Sequence, residues 1–113
     1  MARSSLPEPE SLLPLPPATF HILMAVAAGE RHGYSIMQDT GLSAGTLYRS
    51  LQRMLEQGLI VETGDRPAPE LDDERRRYYR ITPYGESVAA AETRRLTQMV
   101  RLARASGFAK GNA

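Results

Sequence analysis

The 113-residue chain contains no cysteine, which excludes disulfides, thiolate chemistry and cysteine-based zinc sites. It also lacks any apolar run close to the roughly 20 residues that a membrane-spanning helix needs. Its first residues carry a single arginine and several prolines instead of the continuous apolar segment of a signal peptide. We therefore expect one cytoplasmic domain with a modest core and no membrane partner.

Lysine is almost absent as well, since Lys110 is the one lysine among 14 basic residues. The planar guanidinium of arginine suits phosphate oxygens and guanine edges better than the point charge of lysine does. A GC-rich genome also enriches arginine over lysine. The arginines are therefore informative by their positions and not by their number.

The residue patterns of an enzyme are missing. The sequence has no phosphate-binding glycine loop and no paired carboxylates on a regular element. Its one carboxylate cluster, Asp72 to Glu74, falls in a charged loop, where solvent would leave these groups unperturbed. We therefore expect no catalytic activity, no metal and no other cofactor.

Residues 42–60 predict the helix around which the chain is organised. Ser43 is a suitable N-cap, and Gly58 can end the helix in a left-handed conformation. An apolar stripe recurs at helical spacing, at Leu47, Leu51, Met54, Leu55 and Leu59. A polar face recurs on the other side, at Thr46, Arg49, Ser50 and Arg53. Such a helix can lie in a DNA major groove, but an ordinary amphipathic surface helix would have the same pattern.

Two helices are predicted before it. Residues 18–28 are apolar nearly all round, so this helix should lie at the centre of the core or in a subunit interface. A turn at 30–33 leads to a short helix from Tyr34 to Asp39 or Thr40. A connection of three residues containing Gly41 then gives helix-turn-helix spacing.

After Gly58 the apolar period changes from 3.6 to 2, which predicts strands at 59–63 and 77–81. Tyr79 and Ile81 should face the core. The charged loop between the strands completes a β-wing. Its arginines could contact DNA phosphates, or they could belong to a solvated loop with ion pairs worth less than about 1 kcal/mol each.

The last helix is predicted to begin at Thr82-Pro83 and to end near Gly107. Roughly 24 residues give a length of about 36 Å, longer than a domain of this size can cover. The surplus apolar face should therefore pack against the same helix of a second copy. The residues predicted for this dimer interface are Val88, Leu96, Met99, Val100 and Ala103.

Three stretches together resemble the PadR family of bacterial transcriptional regulators: FHILMAVAAGERHGYSIM, SAGTLYRSLQRMLEQGLI and DDERRRYYRITPYGE. They span about residues 17–104 in the family's order. The resemblance implies a mostly α winged helix-turn-helix fold with a small β-wing and a long C-terminal dimerisation helix. It also implies a homodimeric repressor of a palindromic operator. Carried over by position, the residues that would contact double-stranded DNA are Tyr34, Ser43, Thr46, Tyr48, Arg49, Arg53, Arg75, Arg76 and Arg77.

The same resemblance adds one more partner. Some relatives bind phenolic acids or hydrophobic drugs at the dimer interface, so a small hydrophobic or aromatic effector is implied as well. The expected organisation is a flexible arm (1–14), a winged helix-turn-helix domain (15–82), a dimerisation helix (83–107) and a frayed tail (108–113).

The sequence departs from the family pattern at two places. Arg49 stands where many relatives have proline, and a tight connection replaces the longer second helix and loop of many relatives. The alternative function is a winged-helix module that binds another protein instead of DNA. Arg49, Ser50 and Arg53 would be a poor apolar hot spot for that role.

Overall fold

The computed structural model describes residues 6–63 and 77–108. Its elements are a 3₁₀-helix at Pro9–Leu12, helices α1 (Pro17–Val26), α2 (Gly33–Thr40), α3 (Ala44–Gln57) and α4 (Pro83–Ala105), and strands β1 (Arg31–His32), β2 (Ile60–Thr63) and β3 (Tyr78–Ile81). The strands form an antiparallel sheet in the order β1–β3–β2. The result is a mostly helical winged-helix fold with a long C-terminal helix.

Helix α1 lies at the centre of the core, as its composition predicts. It contacts α2, α3, α4 and β3, and it buries Ile22, Leu23 and Val26. Its burial is nevertheless one-sided, because Met24 remains half exposed. The apolar character of α1 nearly all round therefore exceeds what its own chain covers.

Both predicted ends of α3 are confirmed. The Ser43 hydroxyl accepts a hydrogen bond from the Thr46 N–H at 3.2 Å, which caps the first turn. Gly58 has a φ of 79°, and the following Leu59 N–H donates to the Met54 carbonyl at 3.0 Å. This closure satisfies the last carbonyls of the helix and turns the chain into β2.

The start of α4 is fixed against the end of α3. The Thr82 hydroxyl accepts from the Gly85 N–H at 2.9 Å and donates to the Gly58 carbonyl at 2.6 Å. Gly85 is buried, and a Cβ added to it would lie 2.1 Å from the Leu59 carbonyl oxygen. The first turn of α4 can approach the backbone this closely because residue 85 has no side chain.

The predicted turn at 30–33 contains a strand instead. Arg31 pairs with Tyr79 and His32 with Tyr78, which adds β1 to the edge of the wing. The His32 Nδ1 atom also accepts from the Ser35 N–H at 3.1 Å and caps α2. A strand of two residues is too short to show an alternating pattern, so sequence periodicity could not predict it.

The N-terminal arm, expected to be flexible over 1–14, contains the 3₁₀-helix Pro9–Leu12 and makes tertiary contacts within its described residues. Its 3₁₀-helix lies against α4. The Tyr84 hydroxyl donates to the Pro7 carbonyl at 2.7 Å, and the Leu15 N–H donates to Glu92 Oε2 at 3.1 Å. These partners lie 77 residues away in the sequence, so a local pattern could not reveal them.

Glu92 connects this segment to α4 through a buried carboxylate, whose side chain is 2% exposed. Arg95 donates to both carboxylate oxygens, at 2.6 Å from Nε and 3.0 Å from Nη2. These hydrogen bonds hold the pKa of Glu92 below its ordinary value although burial acts in the opposite direction. The ion pair therefore keeps the acceptor for the Leu15 N–H charged.

Helix α4 ends as predicted, with Gly107 at a φ of 88° and the Phe108 N–H donating to the Ala103 carbonyl at 3.0 Å. The rest of the predicted tail lies outside the described residues. None of the helices in 6–63 and 77–108 combines the length and apolar character needed to cross a membrane.

Candidate nucleic-acid interface

Helices α2 and α3 form a helix-turn-helix with a connection of three residues, 41–43. Gly41 has a φ of 74°, and its N–H donates to the Met37 carbonyl at 2.9 Å. The Thr40 hydroxyl donates to the Ile36 carbonyl and accepts from the Leu42 N–H. The tight connection predicted from the sequence is thus closed by its own hydrogen bonds.

Helix α3 presents one face to the core and one to solvent. Leu47, Leu51 and Met54 are buried, as predicted. The solvent face differs from the predicted one, because Thr46 and Ser50 are half-buried. At about 100° per residue, Ser50 lies only about 40° from the core residue Met54. The exposed residues of the face are Gly45, Arg49, Gln52, Arg53 and Glu56.

Arg49 and Arg53 are the charged donors of this face, and both are exposed. Gln52 donates to Glu56 at 3.3 Å, so the far end of the face carries a carboxylate and an amide side by side. Guanidinium and amide groups can recognise phosphate oxygens and base edges by hydrogen bonding. Gln52 was missed as a candidate contact, although a helical projection of residues 45–56 places it and Glu56 about 20° to either side of Gly45.

Two other predicted contacts lie at helix starts. Ser43 is exposed, but its hydroxyl is the cap acceptor of α3. Tyr34 lies in the first turn of α2 and is 41% exposed. Both residues are at least partly accessible to solvent, and their contact with DNA stays a prediction.

Tyr48 is placed differently from its prediction. Its ring packs against the core cluster, and its hydroxyl oxygen is buried. In this conformation the hydroxyl is not available on the solvent face beside Arg49. The reason is helical geometry, since residue 48 lies about 60° from Leu51 and about 100° from Arg49.

The wing contributes Arg77 within the described residues. Its Nη1 donates to Glu62 Oε2 at 2.9 Å across β2 and β3, and its carbonyl accepts from the Gly33 N–H at 3.0 Å. Arg77 therefore lies at the base of the wing, against the start of α2. Arg75 and Arg76, also predicted to contact DNA, lie outside the described residues, as do most of the loop arginines.

The predicted dimer-interface residues divide into two groups. Val88 is completely buried within its own chain, where it belongs to the core cluster, so its assignment to a dimer interface is wrong. Leu96 and Ala103 are half-buried, and Met99 and Val100 are exposed. Within α4, the exposed large apolar side chains lie in the second half of the helix.

The described residues contain no group of three histidine, aspartate or glutamate side chains arranged to hold a metal ion. The solvent face of α3 offers hydrogen-bond donors and positive charge, and it has neither a nucleophile nor an acid–base pair. This arrangement suits recognition of an anionic partner.

The sequence matches the model of the "Transcriptional regulator PadR-like family" over residues 22–91, more than half of the chain. The chain belongs to the PadR-like family of transcriptional regulators. It is also 34% identical over 86 residues to the transcriptional regulator Rv3488 of Mycobacterium tuberculosis, covering 72% of this chain and 77% of that protein. The family consists of regulators and not of enzymes.

Solved structures agree on the fold. BldR, a transcriptional regulator from Sulfolobus solfataricus, superposes with a TM-score of 0.69 at 18% identity, covering 92% of this chain and 70% of that one. A mutant MarR from E. coli gives a TM-score of 0.69 at 19% identity, covering 93% and 74%. At this level of identity, the likeness establishes the winged-helix fold of this PadR-like regulator and nothing finer.

Proposed function

We propose that this PadR-like regulator is a homodimeric repressor that binds a palindromic operator with α3 in the major groove. The observation that carries the proposal is the division of α3 into a core face and a solvent face with two exposed arginines. In winged helix-turn-helix proteins the second helix of the motif is the one that reads base edges. In this chain, the exposed Arg49 and Arg53 would do so.

The same placement of α3 in the major groove would bring other residues of the protein against the DNA. Tyr34 and Ser43 lie at the helix starts that would meet the sugar-phosphate backbone. Arg77 lies at the base of the wing, where its carbonyl accepts from the N–H of Gly33, the residue before Tyr34. The two α3 helices of a dimer would occupy successive major grooves. We expect half-sites about 10 base pairs apart from centre to centre, or at a multiple of that spacing.

The dimer would form through the second half of α4. Met99 and Leu102 are each 53% exposed and Val100 is 47% exposed, which is a large apolar area for one turn of a surface helix. A second copy of this helix would cover them. Val100→Glu should therefore give a monomer in sedimentation or light scattering with an unchanged circular dichroism spectrum.

We also propose that a small effector releases the repressor from its operator. An apolar groove between α1 and α4 is lined by Phe20, Leu96 and Val100, and Arg101 and Arg104 also line it. It could hold an aromatic carboxylate close to the dimer contact, and a bound effector would change the angle between the two heads. A phenolic acid should then release the operator complex, and Phe20→Ala should reduce that response.

A gel shift with DNA from upstream of the protein's own gene tests the central claim, because many such repressors control themselves. We expect a complex that survives non-specific competitor and weakens steeply with salt, since several phosphate contacts release counterions. Failure to bind any DNA at low salt would reject the proposal in favour of a protein-binding winged helix.

Arg49→Ala should lower operator affinity by about 1–3 kcal/mol and relax specificity at one base pair, if the guanidinium reads a base edge. Arg94→Ala is the matched control, because it removes the same charge from an exposed position of α4. Equal affinities for the two variants would reject the assignment of Arg49.

A further inference from the structure

A glycine on the solvent face of α3 has no explanation inside the chain. Gly45 is the second residue of the helix and is exposed. Glycine in a helix costs up to about 1 kcal/mol relative to alanine. Residue 45 is also not among the glycines with positive φ, so an unusual backbone conformation does not require it.

Packing does not require the glycine either. A Cβ added at residue 45 would have one neighbour within 4 Å, the Nη1 atom of Arg49 at 3.4 Å. That distance is an ordinary van der Waals contact with the end of a flexible side chain. Gly85 differs sharply, because its added Cβ would lie 2.1 Å from a carbonyl oxygen.

The position of Gly45 on the helix suggests the reason for it. At about 100° per residue, Gly45 lies within about 40° of both Arg49 and Gln52, near the middle of the exposed arc. Gly45 lines a shallow depression together with Tyr48, Arg49, Gln52, Arg53 and Glu56. Recognition helices contact base edges with their N-terminal residues, and Gly45 is at that end.

We propose that Gly45 is the point of closest approach between α3 and the operator, where the DNA contacts helix backbone that a side chain would cover. The inference rests on the proposed DNA binding and adds a residue that sets how deeply the helix enters the groove. The glycine lowers the stability of the free chain, and its benefit appears only in the complex.

The test compares Gly45→Ala with Ala44→Gly, which changes helix propensity at the adjacent exposed position in the opposite direction. We expect Gly45→Ala to raise the thermal midpoint and to weaken operator binding at least tenfold, with a larger loss for Gly45→Val. We expect Ala44→Gly to lower the thermal midpoint and to bind the operator like the unsubstituted protein.

A double-mutant cycle separates direct approach from an effect on Arg49. In the Arg49→Ala background, Gly45→Ala should weaken binding by the same factor as in the parent. Loss of the effect in that background would overturn the inference, because Gly45 would then act only by positioning Arg49. Operator affinity unchanged by Gly45→Ala would also overturn it and leave the proposed function intact, whereas a parent protein that binds no DNA would reject both.

Discussion

The two halves of α4 have the same apolar spacing but different surroundings. Val88 and Ala91 in the first half are buried against the chain's own core, together with Glu92. Met99, Val100 and Leu102 in the second half extend into solvent. A helical stripe therefore indicates which side of a helix is apolar, and it does not indicate whether the same chain or another one covers it.

The first half of α4 should respond most strongly to added volume. Gly85→Ala should lower the free energy of unfolding by about 3 kcal/mol, because the new Cβ meets backbone that cannot move away independently. Urea denaturation measures the loss. Ser87→Ala, at an exposed position two residues later, should change stability by less than about 0.5 kcal/mol. Similar stabilities for both variants would mean that α4 does not approach Leu59 this closely.

One substitution made in both halves tests the contrast directly. Val88→Ala should cost about 2 kcal/mol of folding stability, since it removes two buried methyl groups and leaves a cavity. Val100→Ala should barely change unfolding at low protein concentration, and it should raise the dimer dissociation constant severalfold. Equal losses of folding stability from the two variants would contradict the division of the helix.

The smallest expected effect concerns Glu92, the buried carboxylate between the two halves of α4. Because the folded-state pKa of Glu92 is lowered, its contribution to stability is present above the ordinary glutamate pKa of about 4.3 and is lost as the pH falls through the lower folded value. Glu92→Gln should therefore lose about 1 kcal/mol at pH 7, and the difference from the parent should shrink towards pH 3.

Denaturation at several pH values measures this difference. Glu10→Gln is the control, because the ion pair of Glu10 with Arg94, at 3.7 Å, is exposed and its loss should change stability little. A difference between Glu92→Gln and the parent that stays constant from pH 7 to pH 3 would show that Glu92 does not act through its charge.

Much of the candidate interface could be predicted from the sequence, because its determinants are local. Caps at Ser43 and Gly58 and the spacing of Leu47 and Leu51 define α3 and orient it. The same helical spacing then places Arg49 and Arg53 on the solvent face. The burial of the Tyr48 hydroxyl and the partial burial of Ser50 were not predicted, because both residues lie at the boundary between the two faces, where packing against neighbouring elements decides exposure. The DNA contacts themselves remain a prediction.

The sequence by itself determined the ends of α3 and α4, the core side of α3 and the alternation of β3, because capping and periodicity depend on residues within a few positions. Only the tertiary structure decided that Val88 is buried and Val100 exposed. It also decided that the backbone at Gly85 approaches Leu59 too closely for a side chain, and that the Leu15 N–H donates to Glu92. These features depend on contacts between segments far apart in the chain. A short-range sequence pattern predicts which side of an element is apolar, and the fold determines which residues pack against that side.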